Sequence, residues 1–281
     1  MVQIPEDLPA QVAAALREDI GAGDVTARLV PEGQHARGHV ITREDATLCG
    51  TAWVDETFRK LDESIHIDWH AQDGDAVRAG ALIFEINGRA RPVLTGERTA
   101  LNFLQLLSAT ATQTRLFVDA VAGTGCVILD TRKTIPGLRT AQKYAVRCGG
   151  ARNHRIGLYD MVLIKENHIA AAGSISRAIG AAKRAAPGLK IEVEVESLAG
   201  LEEALAASPD IVMLDNFDAA DMKKAVQMTR SRSSVVRLEA SGNVGLESVR
   251  GIASTGVDYI SVGALTKNVR AIDLSMRFEF G

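Results

Sequence analysis

The sequence predicts an α/β protein with two domains, an N-terminal α/β domain and an open, incomplete (β/α) barrel. Short strands broken by turns occupy residues 35–87, whereas apolar, β-branched runs alternate with helical segments beyond residue 123. Strand–helix alternation is typical of a parallel sheet. A complete eight-unit barrel needs about 250 residues, and the second half of the chain is too short for that. We therefore expect a barrel that stays open.

Size and composition set the limits of the interpretation. The chain has 281 residues, of which 46% are apolar and 24% charged, as in soluble globular proteins. We assign residues 1–108 to the N-terminal domain, which the tail 268–281 could join, and residues 109–267 to the barrel. The N-terminus lacks the basic and apolar regions of a signal peptide, and no apolar run could span a membrane, so we expect a cytoplasmic protein.

Charge and cysteine content narrow the choice of partners. The net charge of -3 and the 4% aromatic content argue against a nucleic-acid surface outside residues 131–159, a stretch that contains only Tyr144 and Tyr159 for stacking. Neither a nucleic acid nor a membrane is expected as a partner. The three cysteines form no CxxC pair and no metal-ligand spacing, so we interpret them as reduced, structural thiols. Small molecules are therefore the expected partners.

The N-terminal domain begins with an amphipathic helix, Leu8–Ile20, and a glycine-rich turn that lacks phosphate-loop spacing. Four strands are predicted after it, at Gly38–Thr42, Ala46–Cys49, Ile65–His70 and Leu82–Ile86. Residues 73–88 resemble the hammerhead strands of biotinyl and lipoyl carriers, so the domain is expected to be hammerhead-like. Those carriers need a lysine at the hairpin tip, and the expected tip here is Asn87-Gly88. Attachment of such a group is therefore not expected.

A long helix is predicted from Thr95, its expected N-cap, to about Val121. Arg98 would then lie in the first turn, where a cation opposes the helix dipole by a few tenths to about 1 kcal/mol. Its position there suits either a ligand contact or a surface salt bridge.

The second half contains six predicted strands, each ending in polar residues. They are Val127–Asp130, Met161–Lys165, Ile191–Glu196, Ile211–Asp215, Val235–Glu239 and Tyr259–Val262, with helices predicted at Ile175–Ala186, Leu198–Ala207 and Ala219–Thr229. The carboxyl ends of parallel strands meet at one edge of a sheet, where α/β proteins hold ligands. Six polar strand ends in series therefore predict one lined pocket.

Residues 131–159 carry a local excess of positive charge. The segment contains seven Arg or Lys residues and no Asp or Glu. The alternative is that these residues form a solvated helix face. It is less favoured, because such faces normally carry charges of both signs. The stretch starts directly after a predicted strand, so we expect it to bind an anionic ligand.

Acidic residues follow the neighbouring strands. Alternation along Ile191–Glu196 places Glu192, Glu194 and Glu196 on the barrel side, where cations or a metal must compensate their charge. The alternative is a half-exposed strand whose three glutamates face solvent. Together with Asp215, these carboxylates suit Mg²⁺ held partly through substrate phosphates. Ser241–Asn243 and Val262–Ala264 close the last two strands, a common phosphate position in barrels.

Seven stretches resemble the quinolinate phosphoribosyltransferase family over nearly the whole chain. They read EDIGAGDVT, GERTALNFLQLLSATAT, LDTRKTIPGLRTAQKYAVRCGGARNHRIGLYDMVLIKENH, IEVEVES, IVMLDNF, LEASGNV and GVDYISVGALTKN. The resemblance implies a hammerhead-like domain joined to an open barrel, in dimers or larger assemblies that share active sites. It also implies conversion of quinolinate and 5-phosphoribosyl pyrophosphate (PRPP) to nicotinate mononucleotide, pyrophosphate and CO₂, with Mg²⁺, in NAD biosynthesis.

The resemblance also implies roles for individual residues. Those for the quinolinate carboxylates are Arg98, Arg132, His154, Arg155 and Lys165, and those for PRPP and its metal are Lys133, Glu194 and Asp215. The residues implied to bind the ribose 5-phosphate are Ser241, Gly242, Asn243, Val262, Gly263 and Ala264. Thr131 is implied to belong to the same substrate-binding surface. Lys133, Lys165, Glu194 and Asp215 are the expected catalytic residues. Arg98 would reach the neighbouring subunit's barrel, and Lys267 is given no role.

Three other functions remain open at this point. A Schiff-base lyase or aldolase would use Lys165 as its amine. A related phosphoribosyltransferase would act on another acceptor, although three arginines favour a dicarboxylate. A non-catalytic carrier or RNA-binding module would use the hammerhead-like strands or the basic stretch, but the attachment lysine is missing and aromatic residues are scarce.

Overall fold

The computed structural model describes residues 2–233 and 235–280. The described residues form two compact units, the first made of residues 2–115, 134–150 and 265–280, the second of residues 116–133 and 151–264 without residue 234. Met1 and Gly281, the outer limits of the predicted domain ranges, lie outside the described residues. No helix in the described ranges is both long and apolar enough to cross a membrane.

The helices and strands are numbered in chain order. The helices are α1 (Leu8–Ile20), α2 (Thr51–Leu61), α3 (Ala90–Ala120), α4 (Arg139–Cys148), α5 (Glu166–Ala172), α6 (Ile175–Ala185), α7 (Leu198–Ala207), α8 (Ala219–Arg232), α9 (Leu246–Ala253) and α10 (Ala264–Lys267). The strands are β1 (His35–Thr42), β2 (Ala46–Thr47), β3 (His66–Trp69), β4 (Ala76–Val77), β5 (Leu82–Arg89), β6 (Val127–Leu129), β7 (Val162–Ile164), β8 (Ile191–Val195), β9 (Ile211–Asp215), β10 (Arg237–Ser241), β11 (Tyr259–Ser261) and β12 (Leu274–Phe280).

The first unit contains an antiparallel sheet with the strand order β12-β1-β5-β3 and a short β2-β4 pair. Strand β12 pairs with β1 from Ala36 opposite Phe280 to Thr42 opposite Leu274. Buried Phe58, Phe84 and Leu104 belong to the core beneath this sheet. Helix α2 was not predicted. The prediction of a hairpin tip at Asn87-Gly88 was wrong, because both residues lie inside β5. Helix α3 follows β5 directly.

Helix α3 begins at Ala90, five residues before the predicted start. The prediction of Thr95 as N-cap was wrong: its hydroxyl lies within the helix and donates to the carbonyl of Arg91 at 2.9 Å or the carboxylate of Asp24 at 2.9 Å. Pro92 falls in the first turn, where proline is tolerated because no helical N–H partner is needed. Arg98 therefore lies in the third turn, and the helix dipole gives no argument about its role.

The second unit is built on six parallel strands in the order β6-β11-β10-β9-β8-β7. Helices α5 to α9 connect β7 through β11. The sheet does not close on itself among the described residues, since β6 and β7 remain its two outer strands. The expected class, an α/β fold with an N-terminal α/β domain and an open barrel, is confirmed.

All three cysteines are free and buried. Cys49 is 0% exposed, Cys148 6% and Cys126 9%. Cys49 and Cys148 belong to a core cluster of the first unit that also contains Trp53 and Tyr144. Their burial agrees with the interpretation of structural thiols.

Gly149, directly after α4, packs closely against α3, and this contact can be tested. A Cβ at this position would lie 2.5 Å from Cβ of Thr114 and 2.6 Å from the carbonyl oxygen of Ala111, both in α3. We expect Gly149→Ala to lower the free energy of unfolding by about 1–3 kcal/mol in urea titrations, because the backbone of α3 cannot move aside cheaply. The control is Gly33→Ala, where nothing lies within 4 Å of the added Cβ. Equal stability of the two variants would contradict this packing.

Candidate active site

The parallel sheet brings most of the predicted site residues to one edge. Its strands end in the same direction, so the residues that close them are neighbours. In spatial order these are Thr131, Arg132 and Lys133 after β6, Val262, Gly263 and Ala264 after β11, Ser241, Gly242 and Asn243 at β10, Asp215 at β9, Glu194 in β8 and Lys165 after β7. Arg98 lies in the first unit, with a side chain 63% exposed.

Three cationic groups crowd the β6 end of the edge. Burial lowers the pKa of the Arg155 guanidinium, and the positive charge of Arg132 lowers it further. The Lys133 side chain lies beside Gly263, where an added Cβ would come within 3.0 Å of Cδ. Neighbouring cations repel each other unless an anion lies between them. This end is therefore suited to a molecule with several negative charges.

Asp130 fixes the loop that carries His154. It follows β6, is fully buried, and accepts hydrogen bonds from the Asn153 amide at 2.6 Å and the His154 backbone N–H at 2.9 Å. A buried carboxylate that accepts two N–H groups is firmly held. Asp130 was absent from the predicted site, although its place directly after an apolar strand was a usable signal.

A buried acid pair lies behind the imidazole of His154. Nε2 of His154 is 2.8 Å from a carboxylate oxygen of Glu192 and 3.7 Å from one of Glu239, and both glutamates are 0% exposed. Burial raises the pKa of Glu192 to about 7. Burial and then the charge of Glu192 raise the pKa of Glu239 to about 8. The sequence placed Glu192 inside the barrel and Glu239 at one of the polar strand ends that line the predicted pocket, but it assigned Glu239 no role.

The β7 to β9 end of the edge carries an ion pair and a second carboxylate. Lys165 Nζ lies 2.9 Å from Glu194, which is the largest cause of its raised pKa. Burial raises the pKa of Asp215, followed by the negative charges of Glu194 and Glu196. Glu196 itself follows β8 and is exposed, so its expected position inside the barrel was wrong. The carboxylates of Glu194 and Asp215, with Lys165 as a neighbouring cation, fit a hard divalent ion such as Mg²⁺.

The β9 and β10 ends pack tightly against each other. Asn216 and Asn243 adopt positive φ angles of 55° and 44°, and Gly242 has a φ of 109°. A Cβ on Gly242 would lie 2.2 Å from the Asn216 side-chain oxygen. At β11 the N–H of Val262 donates to Leu129 at 2.9 Å, so Gly263 and Ala264 are better suited than Val262 to reach an anion.

The basic stretch divides between the two units. Arg132, Lys133, Arg152 and Arg155 belong to the second unit, whereas Arg139, Lys143 and Arg147 lie on α4 in the first. Lys143 is only 2% exposed. The basic residues that are close together in the sequence therefore do not all belong to the strand-edge site.

Family models match both parts of the chain. The "Quinolinate phosphoribosyl transferase, N-terminal domain" matches residues 24–108, and the "Quinolinate phosphoribosyl transferase, C-terminal domain" matches residues 110–277. The chain belongs to the quinolinate phosphoribosyl transferase family. The resemblance inferred from the sequence is thus confirmed, and the strand-edge site lies within the C-terminal family domain.

Relatives in this family are similar over almost their full length. The "Nicotinate-nucleotide pyrophosphorylase [carboxylating]" of Mycobacterium leprae is 44% identical over 94% of this chain and 95% of its own. The "Probable nicotinate-nucleotide pyrophosphorylase [carboxylating]" of Bacillus subtilis is 43% identical over 92% and 89%. The solved nicotinate-nucleotide pyrophosphorylase from Francisella tularensis superposes with a TM-score of 0.95 at 49% identity, covering 99% of this chain and 98% of that one.

Gly242 offers a direct test of the packed strand ends. We expect Gly242→Ala to reduce turnover in a pyrophosphate-release assay about tenfold or more, because its Cβ and its left-handed backbone both force the β10 end away from Asn216. The matched control is Gly251→Ala in α9, where nothing lies within 4 Å of the new Cβ. Its turnover should match that of the parent protein. Full activity of Gly242→Ala would show that the close contact between Gly242 and Asn216 is not needed for the site.

Proposed function

We propose that this chain transfers the phosphoribosyl group of PRPP to quinolinate, yielding nicotinate mononucleotide, pyrophosphate and CO₂ in de novo NAD biosynthesis. The observation that carries the proposal is the family match over both domains, with 44% identity to a carboxylating pyrophosphorylase across nearly the whole chain. The single strand edge described above supports it, since it combines cations for two anionic substrates with carboxylates for a metal.

Quinolinate would bind at the β6 end. Arg132 and Arg155 carry planar guanidinium groups that can pair with carboxylates through two parallel hydrogen bonds. Their mutual repulsion favours binding of a dianion between them. His154 and Lys165 are the proposed additional contacts.

PRPP would lie across the strand edge beside quinolinate. Lys133 would contact its pyrophosphate as a compact charge, and the backbone at Gly242 and Gly263 would approach the ribose 5-phosphate. Glu194 and Asp215 would hold Mg²⁺, directly or through PRPP. When bound, Mg²⁺ would neutralise the charge that accumulates on the departing pyrophosphate.

The reaction then needs positioning and charge stabilisation more than a base. As the bond to pyrophosphate breaks, positive charge develops on the ribose, and the carboxylates of Glu194 and Asp215 would stabilise it. The pyridine nitrogen captures the ribose carbon, which makes the ring a pyridinium. The bond from the ring to the adjacent carboxylate breaks next, the pyridinium accepts the electron pair, and a proton replaces CO₂.

The decisive assay measures pyrophosphate release from PRPP with quinolinate, with nicotinate and without an acceptor. We expect release with quinolinate and formation of equal amounts of CO₂ and nicotinate mononucleotide. A related transferase with another acceptor would prefer nicotinate or release nothing with quinolinate, which would overturn the proposal.

A Schiff-base lyase is disfavoured by the state of Lys165. A Schiff base requires a neutral amine, whereas the ion pair with Glu194 raises the pKa of Lys165 and keeps it charged. Borohydride in the presence of a keto acid should therefore leave Lys165 unmodified, as mass spectrometry can show.

The two metal-site carboxylates should be essential for turnover. We expect Glu194→Gln and Asp215→Asn to reduce turnover by one or more orders of magnitude, a loss of about 1.4 kcal/mol of charge stabilisation for each factor of ten. Steady-state rates at limiting and saturating Mg²⁺ would be measured, with circular dichroism to verify folding. Exposed Glu247→Gln, in the first turn of α9, is the control and should keep the parent rate. Parent-like rates of both site variants at limiting Mg²⁺ would remove these carboxylates from the site.

We further propose a homodimer in the cytoplasm whose subunits share active sites, with Arg98 reaching the partner's quinolinate site. Mixing inactive Arg98→Ala and Lys133→Ala proteins under conditions of subunit exchange should restore about a quarter of the parent sites. Half of randomly paired dimers are mixed, and each has one intact site. Native mass spectrometry would verify the mixed dimers. If those dimers stay inactive, Arg98 acts within its own chain or has no role.

A further inference from the structure

Two of the buried cysteines meet in the first unit, although they are far apart in the sequence. Cys49 lies just before α2, and Cys148 is the last residue of α4. Their sulfurs lie within 4.8 Å of each other and of a carboxylate oxygen of Asp73, and the two thiols are hydrogen-bonded to each other. Such a contact allows either binding of a thiophilic metal ion such as Zn²⁺ or formation of a sulfur–sulfur bond.

The hydrogen bonds of Asp73 distinguish these two chemistries. Its Oδ1 accepts the backbone N–H groups of Gly50 at 2.9 Å and Thr51 at 3.0 Å, and its Oδ2 accepts the Tyr144 hydroxyl at 2.7 Å. Three N–H or O–H donors stabilise a carboxylate without a metal ion. The carboxylate therefore has its own partners, and the two sulfurs have each other. This arrangement favours sulfur–sulfur chemistry over a metal site.

The two cysteines differ in the way that a reactive thiol and a resolving thiol require. Cys148 is 6% exposed and Cys49 is 0% exposed, so an oxidant from solvent meets Cys148 first. The hydrogen bond with Cys49 lowers the pKa of Cys148, against the opposing effects of burial and the charge of Asp73. Burial raises the pKa of Cys49, which therefore keeps its proton for that hydrogen bond. Redox-sensitive cysteines combine a thiolate of low pKa with a neighbouring resolving thiol.

Cys49 is the fixed member of the pair. Its backbone N–H donates to the Ser108 hydroxyl at 3.0 Å, and that hydroxyl donates to the Cys49 carbonyl at 3.1 Å. A disulfide has an S–S length of about 2.05 Å, so the two sulfurs must approach further. Cys148 supplies this movement, because the last turn of a helix is held by fewer backbone hydrogen bonds than its interior.

We propose that Cys49 and Cys148 are a redox-sensitive modification site, at which a peroxide converts the two thiols into an intramolecular disulfide. The Cys148 thiolate attacks one oxygen of the peroxide, the O–O bond breaks and hydroxide leaves, which makes Cys148 a sulfenic acid. The Cys49 sulfur attacks the sulfenic sulfur, the S–O bond breaks, and the departing oxygen leaves as water with the Cys49 proton. Hydroxide takes up the proton that Cys148 released on ionisation. Two thiols are thereby oxidised by two electrons, and one hydrogen peroxide is reduced to two waters.

The disulfide joins the N-terminal end of α2 to the C-terminal end of α4 within one core cluster. Trp53 of α2 and Tyr144 of α4 belong to the same cluster, with ring centroids 5.3 Å apart. The cross-link closes a long loop of the chain and restricts the unfolded state, so oxidation stabilises the folded first unit. This inference does not rest on the proposed function.

The first experiment uses the unmodified protein. It is treated with hydrogen peroxide, quenched in acid and digested with pepsin, and mass spectrometry then searches for peptides joined through Cys49 and Cys148. We expect these joined peptides from chains that have lost two hydrogen atoms, and a small dithiol should separate them. Joined peptides that never form, or that form only between two chains, would overturn the proposal.

The unfolding midpoint in urea provides a second measurement on the same samples. The oxidised protein should need more urea to unfold than the reduced protein, because the cross-link restricts the unfolded chain. A lower midpoint of the oxidised protein would show that the bond distorts the core. That result would overturn the claim that the two sulfurs are placed to form it.

Serine variants assign the roles of the two thiols. In Cys49→Ser the sulfenic acid of Cys148 has no resolving partner, so Cys148 should gain one oxygen atom that dimedone can trap. In Cys148→Ser the fully buried Cys49 should gain none. The opposite pattern would overturn the assigned roles. Stoichiometric Zn²⁺ in the unmodified protein that is lost in Cys49→Ser would show a metal site and overturn the proposal.

Cys126 of the second unit is the matched control. It is buried to a similar degree, but burial raises its pKa to about 12 and no hydrogen bond with a second thiol lowers it. Cys126 should be oxidised about tenfold more slowly than Cys148, and Cys126→Ser should form the disulfide at the parent rate. Equal oxidation of Cys126 and Cys148 would show that the pair has no special reactivity. The first experiment needs no variant, so it decides the proposal if a serine variant fails to fold.

Discussion

Parallel pairing of the six strands in the second unit is the constraint on which the strand-edge site depends. The residues that close β6 and β7 are far apart in the chain, and they share an edge only because each intervening strand runs in the same direction. Cations gather at the β6 end of this edge, and carboxylates gather at the ends of β8 and β9. An antiparallel strand in the middle would have sent its polar end to the opposite edge.

The fold was predictable where the pattern of apolar residues was regular. The strand at Ile211–Asp215 and the helices at Leu8–Ile20 and Leu198–Ala207 were predicted with the bounds that the structure has. The start of α3 was missed because Thr95 looked like an N-cap, whereas a proline in the first turn gave no sequence signal strong enough to move the boundary. The carrier resemblance placed a turn at Asn87-Gly88, where the chain stays extended and pairs with β1.

The site was predictable where side chains follow a strand and unpredictable where they depend on contacts across strands. Alternation along β8 indicated Glu192 and Glu194 correctly but extended too far, to Glu196, because strand ends are poorly marked in sequence. Glu239 lies inside β10 among apolar residues, so its sequence neighbours gave no sign that it faces Glu192 and His154. Only the lateral order of strands reveals such pairs.

The buried thiols described for both units have a practical consequence for chemical labelling. Thiol reagents react with the thiolate, and burial raises the pKa of Cys126 to about 12 and places that of Cys49 above its ordinary value. The pKa of Cys148 is instead lowered by its hydrogen bond with Cys49, but this residue is only 6% exposed. Burial therefore limits the access of alkylating reagents to all three thiols. A cysteine introduced on the surface could carry a fluorophore without removal of the native ones, and slow labelling of the unaltered chain would report its opening rate.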